Sequence, residues 1–422
     1  MKKKKGVIAF VMVLILSLSM FAACGSEKAR DNDENIMSEA NMKADIAAID
    51  SIDDAFKLLG NYEEGSFEYS FHVKSSSEAE NVPGTDAKIK LYGDAEEGAM
   101  NASADIDIKS DGIDISKKFE NAVCLKDERL YLNLGEILSE LTGTQAELGS
   151  FGILMPETDS KEAQIYYGEI LELSSKFFSA ACEGLEVEKS TGKYYVHIKG
   201  ANDVKKAIEN ILEWLENNKD DVVDLIYASK DYGNVVDLKK YASALIDEYY
   251  DDIIESARLI AAELGKGNNF AMVEMMLGSK DDLKKQLETY IDEAYSQVDD
   301  SLDKNRLAKE TDEFIAGAKK KFAETADTWK EKYPYLEKTD LSIGIELDSD
   351  TYTLVFSGVV PSGKCLLNID ASAKYVQKQV DIEKPGNEMR LPEIVRYVIE
   401  NKDKLSNALE SVRNAGFDKR KR

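Results

Sequence analysis

Histidine is scarce in this chain, which contains only His72 and His197 among its 422 residues. Both fall at polar positions of segments in which polar and apolar residues alternate. Neither has a partner nearby in the sequence that would complete a catalytic triad or a metal site. The GxSxG, HExxH and phosphate-loop motifs are also absent. These absences argue against a hydrolase, and the sequence predicts no catalytic residue, no metal and no cofactor.

Basic residues are outnumbered, with 54 Lys and Arg against 80 Asp and Glu, for a formal net charge of −26. A chain of this charge is repelled by phosphate backbones, so we expect no nucleic-acid partner. Adjacent acids are expected on solvated helix faces at this composition. The apolar content of 43% is too high for a globally disordered chain.

The N-terminus combines Lys2 to Lys5, an apolar run from Val7 to Ala23, and then Cys24. A basic segment, an apolar segment and small residues before a cleavage site are typical of an export signal. The sequence Phe21-Ala-Ala-Cys24-Gly25 resembles the lipobox of bacterial lipoproteins. The resemblance implies that residues 1–23 are a signal peptide and that Cys24 carries a diacylglycerol thioether. It places the protein at the cell membrane, lipid-anchored, on the extracytoplasmic face.

A plain transmembrane anchor is the alternative interpretation of this segment. Its apolar core is at the short end of spanning length and is interrupted by Ser17 and Ser19. The basic residues that follow are diluted by acids, which makes a poor stop-transfer signal. Residues 24–50 are mostly polar and are predicted to form a disordered tether between the anchor and the folded part.

The remaining cysteines, Cys124, Cys182 and Cys365, are odd in number, far apart and without CxxC spacing. Cys124 and Cys182 have apolar neighbours, which predicts that they are small buried residues. One disulfide could form among the three, and the sequence does not select the pair.

Strand periodicity begins near Ser66, where apolar and polar residues alternate through Val73. Further alternating segments predict a meander through Asn133, with separate strands around 113–115 and 120–125 and a loop from 142 to 160. A 185–199 hairpin follows. A second strand set begins at Leu341 and ends with a strand containing Val380 and Ile382. This set is too short for a sheet of its own, so we expect it to complete the first sheet.

Helical stripes dominate the segment between these strand sets and predict a helical bundle over residues 201–337. The predicted fold class is therefore α+β: a curved, half-barrel-like antiparallel sheet packed on helices, with a helical insertion. Residues 51–200 and 338–422 are predicted to form the sheet domain. Parallel strands in two α/β lobes, which a solute-binding lipoprotein of a transporter requires, are not indicated.

Four features of the sequence resemble the LolA/LppX-like lipoproteins: the lipobox, the tether, the predicted meander that faces helices, and the closing unit of Val380–Pro385 with Leu391–Ile394. The resemblance covers roughly residues 51–200 and 338–412. It implies a half-barrel that wraps helices and leaves an apolar cavity for lipid acyl chains.

These features predict a non-enzymatic, membrane-anchored lipoprotein that binds a lipid-like or other apolar ligand in a cavity between sheet and helices. The alternative is a structural or protein-interaction lipoprotein of the cell envelope without a small-molecule ligand, so a lipid or an envelope protein is the expected partner. The candidate ligand-binding residues share the apolar faces of the first strand and of the late strand set: Phe67, Tyr69, Phe71, Val73, Ile343, Ile345 and Phe356.

Overall fold

The computed structural model describes residues 43, 45–47, 49, 52–59, 64–77, 84–96, 98–110, 113–143, 145–156, 160–228, 237–263, 278–301, 303–362 and 365–407. The predicted signal peptide, Cys24 and most of the predicted tether lie outside the described residues. The prediction of disorder is wrong at the end of the tether, where residues 43 and 45–47 are helical and Ile46 is buried in the core.

In this described part, eleven strands form one antiparallel sheet in the order β6-β5-β4-β3-β2-β1-β11-β10-β9-β8-β7. Within each half of the sheet, consecutive strands are neighbours, and β6 and β7 lie at opposite edges. The pairing of β1 with β11 joins the halves, so the sheet consists of two meanders that share one seam. The predicted α+β class is confirmed. The strands are β1 (Gly65–Ser77), β2 (Asp86–Glu96), β3 (Ala99–Ser110), β4 (Ile113–Lys126), β5 (Arg129–Asn133), β6 (Ser150–Leu154), β7 (Glu186–Ser190), β8 (Lys193–Lys199), β9 (Asp340–Leu347), β10 (Thr351–Ser362) and β11 (Cys365–Gln377).

The β1–β11 seam runs from Gly65 opposite Gln377 to Ser77 opposite Cys365. The prediction that the late strands complete the first sheet is therefore confirmed. The 185–199 hairpin extends the same sheet, because β8 pairs with β9 along its whole length.

Three predictions about individual strands are wrong. The two segments expected around 113–115 and 120–125 are one strand, β4, which bends at Asn121, where φ is 45° and the register with β3 shifts. Strand β6 lies within the predicted 142–160 loop. The expected last strand is irregular, because Ile382 is buried against Cys124 and Tyr131 and leaves the sheet to reach them.

The sheet is accompanied by these helices: α1 (Ile52–Leu59), α2 (Leu134–Thr142), α3 (Ser160–Ala181), α4 (Gly200–Asn217), α5 (Lys219–Ala228), α6 (Leu238–Glu263), α7 (Lys280–Ser301), α8 (Lys304–Ala326), α9 (Trp329–Lys332), a 3-10 helix (Pro334–Lys338) and α10 (Leu391–Glu400). The chain leaves the sheet at Lys199 and returns at Asp340, which are paired neighbours on β8 and β9. The Gly200 N–H donates to the Thr339 carbonyl at 2.8 Å and closes this junction.

The helices between β8 and β9 pack in two groups instead of the single predicted bundle. Helix α8 packs on α4 and α5, whereas α6 packs on α7 and on the terminal helix α10. Ion pairs join the residues that flank α10 to α6: Arg390, just before the helix, pairs with Asp252, and Lys402, just after it, pairs with Glu263. The terminal helix, predicted to belong to the sheet domain, thus makes its main contacts with an inserted helix.

The largest described core cluster lies on one face of the sheet, beneath α1. Phe67 faces Tyr375, which is stacked on Tyr352 with ring centroids 5.5 Å apart. Ala55 and Leu59 of α1 belong to the same cluster. Burial of large aromatic surface of this kind is a main source of folding stability.

Candidate functional site

The central strands present two chemically different faces. Along β1, Phe67, Tyr69, Phe71 and Val73 point to the helix side, and the residues between them point to the opposite side. The neighbouring strands keep the same alternation, because the pairing register is continuous from β8 to the first part of β4, before the shift at Asn121. Between the first part of β4 and β8, one face of the sheet is therefore mainly apolar and the other mainly polar.

A cavity of about 810 Å³ lies on the polar face and is open to solvent. Six adjacent strands contribute to its lining, together with α2. We call it the polar groove. By strand alternation, the side chains facing it are Ser70, His72, Lys88, Lys90, Asp105, Asp107, Ser116, Lys118, Val355, Ser357, Asp370 and Ser372, joined at one end by Glu140.

Opposite charges alternate across the groove. Lys88 lies between Asp107 on β3 and His72 on β1, and the next row places Lys90 beside Asp105. The strand side chains that face the groove include three lysines and three aspartates, and α2 adds Glu140, whereas acids exceed bases by 80 to 54 in the whole chain. Cross-strand pairs of opposite charge stabilise a sheet modestly and leave no strong field of one sign.

His72 lies between two carboxylates at the groove. Its Nε2 is 2.8 Å from Asp86 Oδ1, and its Nδ1 is 4.0 Å from Asp370 Oδ2. The hydrogen bond from His72 lowers the pKa of the Asp86 carboxyl, and the charges of His72, Lys88 and Lys74 act in the same direction. The second histidine, His197, also lies on the polar face, 3.4 Å from Glu188.

Helix α2 forms one end of the groove by covering the free edge of β4. The Lys118 N–H donates to Glu140 Oε2 at 3.4 Å, and the Glu120 N–H donates to Glu136 Oε1 at 3.1 Å. The Lys117 ammonium donates to the Glu140 carbonyl. Side chains of α2 thereby occupy backbone donors that an edge strand would otherwise expose.

One groove carboxylate retains an unused acceptor. Asp107 Oδ1 is shielded from solvent and has no hydrogen-bond partner among the residues that the structure describes, while Oδ2 lies 3.6 Å from the Lys109 ammonium. Buried polar atoms are normally paired, so Oδ1 is a candidate acceptor for a ligand or an ordered water.

The seven predicted ligand-binding residues lie on the opposite, apolar face, and none of them lines the polar groove. Phe67 and Ile345 belong to the buried core, and Tyr69 packs against it. The other four residues, Phe71, Val73, Ile343 and Phe356, are half-buried. They form a connected patch, because Phe71 and Phe356 both flank Ala371 and Phe356 also pairs with Ile343.

This half-buried patch continues onto β2, where the apolar face is open. Ile89 pairs with Phe71 and is 36% exposed, and Leu91 pairs with Tyr69 and is 41% exposed. Two adjacent exposed side chains of this size on the helix side of a sheet mark a surface that the described helices leave uncovered.

The three described cysteines are free thiols, so none of them forms a disulfide with another. Cys124 and Cys182 are buried, as predicted. Burial raises the pKa of Cys124 and raises that of Cys182 to about 11. Both thiols are therefore protonated and unreactive at neutral pH.

Within the described ranges, no group of three or more His, Cys, Asp or Glu side chains is placed to hold a metal ion, and no helix is long and apolar enough to cross a bilayer. Comparison with known proteins finds no match: neither a protein-family model, nor a curated protein, nor a solved structure matches the chain. The resemblance to LolA/LppX-like lipoproteins remains a prediction.

Proposed function

We propose that this chain is a membrane-anchored extracytoplasmic lipoprotein that acts by binding a ligand and not by catalysis. The lipobox residues support the anchor. The observation that carries the binding role is the polar groove, an open cavity of about 810 Å³ walled by side chains from six strands and a helix. Its volume is within the range of small-molecule sites, roughly 300–1,000 Å³.

Anchoring is tested by replacing the predicted lipid-bearing thiol. The wild-type protein is expected in the detergent phase of a two-phase detergent extraction, because two acyl chains give stable membrane attachment. Cys24→Ala is expected in the aqueous phase or as an uncleaved precursor, which immunoblotting separates by size. Cys365→Ala is the matched control and should partition like wild type. Equal partitioning of wild type and a cleaved, mature-size Cys24→Ala protein would refute the anchor.

A second candidate ligand is lipid-like and binds the opposite face. The exposure of Ile89 and Leu91 beside the half-buried Phe71 favours it, because such a patch could contact an acyl chain. A fluorescent fatty acid is the probe. Saturable uptake that Leu91→Lys abolishes and Lys90→Gln leaves unchanged would support this candidate. Absence of saturable uptake by the wild type would exclude it.

A further inference from the structure

We propose that the polar groove binds a linear, uncharged saccharide chain lying across the strands. This inference rests on the proposed binding function and names its ligand class. Three properties of the groove carry it: its shape, its balanced charge and the hydroxyl groups along its floor.

The groove is long and narrow. Adjacent strands are about 4.8 Å apart, so the six strands from β4 to β10 span about 24 Å. Along each strand the groove takes in two polar-face positions, such as Lys88 and Lys90, which are about 7 Å apart. A cavity of these proportions matches an extended chain better than a compact metabolite.

The charges of the groove exclude a polyion. Lysines and acids alternate across the strands in equal number, so a polyanion would meet Asp105, Asp107 and Asp370, and a polycation would meet the lysines. A ligand without net charge meets no such repulsion, and its hydroxyl groups can donate to the carboxylates and accept from the ammonium groups.

The floor between the charged rows is built of small hydroxyl side chains. Ser70 pairs with Ser372 at the β1–β11 seam, and Ser357 lies one strand further. A serine hydroxyl both donates and accepts a hydrogen bond, as a sugar hydroxyl does. Asp107 Oδ1 adds an acceptor without a partner in the described part of the chain. Strand alternation directs one apolar side chain, that of Val355, into the groove, and Ile89, Ile106 and Ala371 also border it.

The test is calorimetric titration of the detergent-solubilised full-length protein with two uncharged probes, a hexamer of N-acetylglucosamine and maltohexaose. Ser372→Trp fills the groove floor. Ser342→Trp places the same side chain on the same face, two strands away and outside the groove lining. We expect saturable binding of at least one hexasaccharide, a loss of more than about tenfold in Ser372→Trp, and less than about twofold change in Ser342→Trp.

A second variant tests the proposal if Ser372→Trp does not fold. Lys88→Gln removes one ammonium from an exposed position and is expected to weaken binding about threefold to tenfold without changing the thermal midpoint. Affinity for an uncharged chain should also change less than about twofold between 0.05 and 0.5 M salt, because screening acts on charge pairs.

Failure to bind either hexasaccharide, or equal binding by wild type and Ser372→Trp, would overturn the saccharide assignment. Hexalysine and hexaglutamate are titrated in parallel. Binding of one of them that Ser372→Trp abolishes would also overturn the assignment, while leaving the groove as the site and the binding function intact. Native mass spectrometry that detects no retained ligand, together with no binding of any probe, would overturn the binding function as well.

Discussion

The two faces of the central sheet are built from the same strands and contribute differently to the molecule. On the helix side, Phe67, Tyr375 and Tyr352 lie in one cross-strand row and are buried beneath α1. On the other side, exposed ion pairs such as Lys90–Glu68 at 3.0 Å line the strands. A buried aromatic side chain contributes several kcal/mol, whereas an exposed ion pair contributes about 0–1 kcal/mol.

The apolar face therefore supplies most of the folding stability, whereas the polar face is available for binding. Because the polar face contributes little to folding, its side chains can vary in chemistry without unfolding the sheet. The apolar face lacks this freedom where α1 covers it and gains some of it at Ile89 and Leu91, which α1 does not bury. At the polar groove and at the exposed Ile89 and Leu91 of β2, a ligand could therefore bind without disturbing the core.

The largest expected effect comes from excising residues 201–338 and joining Gly200 to Thr339 with a two-residue turn. The ends are adjacent, since the Gly200 N–H already bonds the Thr339 carbonyl. We expect a β-rich product that unfolds cooperatively and retains groove binding. It should also bind an apolar dye more strongly, because α4 covers Val196 on the apolar face through Ala207. Circular dichroism and dye fluorescence measure this outcome, and loss of the strand signal would mean that the insertion is integral to the core.

A matched pair of truncations on β1 compares the faces directly. Phe67→Ala should lower the free energy of unfolding by about 3–5 kcal/mol, because it leaves a cavity in the core. Glu68→Ala, one residue away on the polar face, should change it by less than about 0.5 kcal/mol. Urea denaturation of both variants provides the values. Similar losses of unfolding free energy in the two variants would contradict the conclusion that the apolar face contributes most of the stability.

The sequence predicted the apolar face better than the polar one, for physical reasons. Alternation identified β1 and β3, because one-sided burial leaves a period-two pattern. Strand β6 was missed, since its five residues contain Gly152, which packs against Tyr131 and carries no side chain to show the period. The single β4 was read as two strands because the bend at Asn121 interrupts its pattern.

The groove itself could not be predicted by the same reasoning. Its residues stand at the polar positions of recognised strands, where Lys, Asp and Ser are expected on any solvated face. What places Lys88, Ser372 and Ser357 in one cavity is the β1–β11 seam, a pairing between residues almost 300 positions apart. The alternation of Lys and Asp across β2 and β3 was the available signal, and it becomes meaningful only once the register is known.

The smallest expected effect is a pH dependence of the folding stability, which arises from His72 and Asp86 on the polar face. The pKa of Asp86 in the folded protein is below its ordinary value, chiefly because His72 donates to it at 2.8 Å. The ionised carboxylate therefore stabilises the folded state at neutral pH. This contribution is present above the unfolded-state pKa of about 3.9 and disappears as the pH falls through the lower folded-state value.

Asp86→Asn should accordingly be less stable than wild type at pH 6, and the difference should shrink as the pH falls through the lowered folded-state pKa of Asp86. Urea denaturation across this range, with His72→Gln and the double variant, isolates the pair as a thermodynamic cycle. The coupling between His72 and Asp86 is expected to be favourable at pH 6 and to weaken as the carboxyl is protonated at lower pH. A coupling that is constant across the range would show that the carboxylate charge is not what the histidine stabilises.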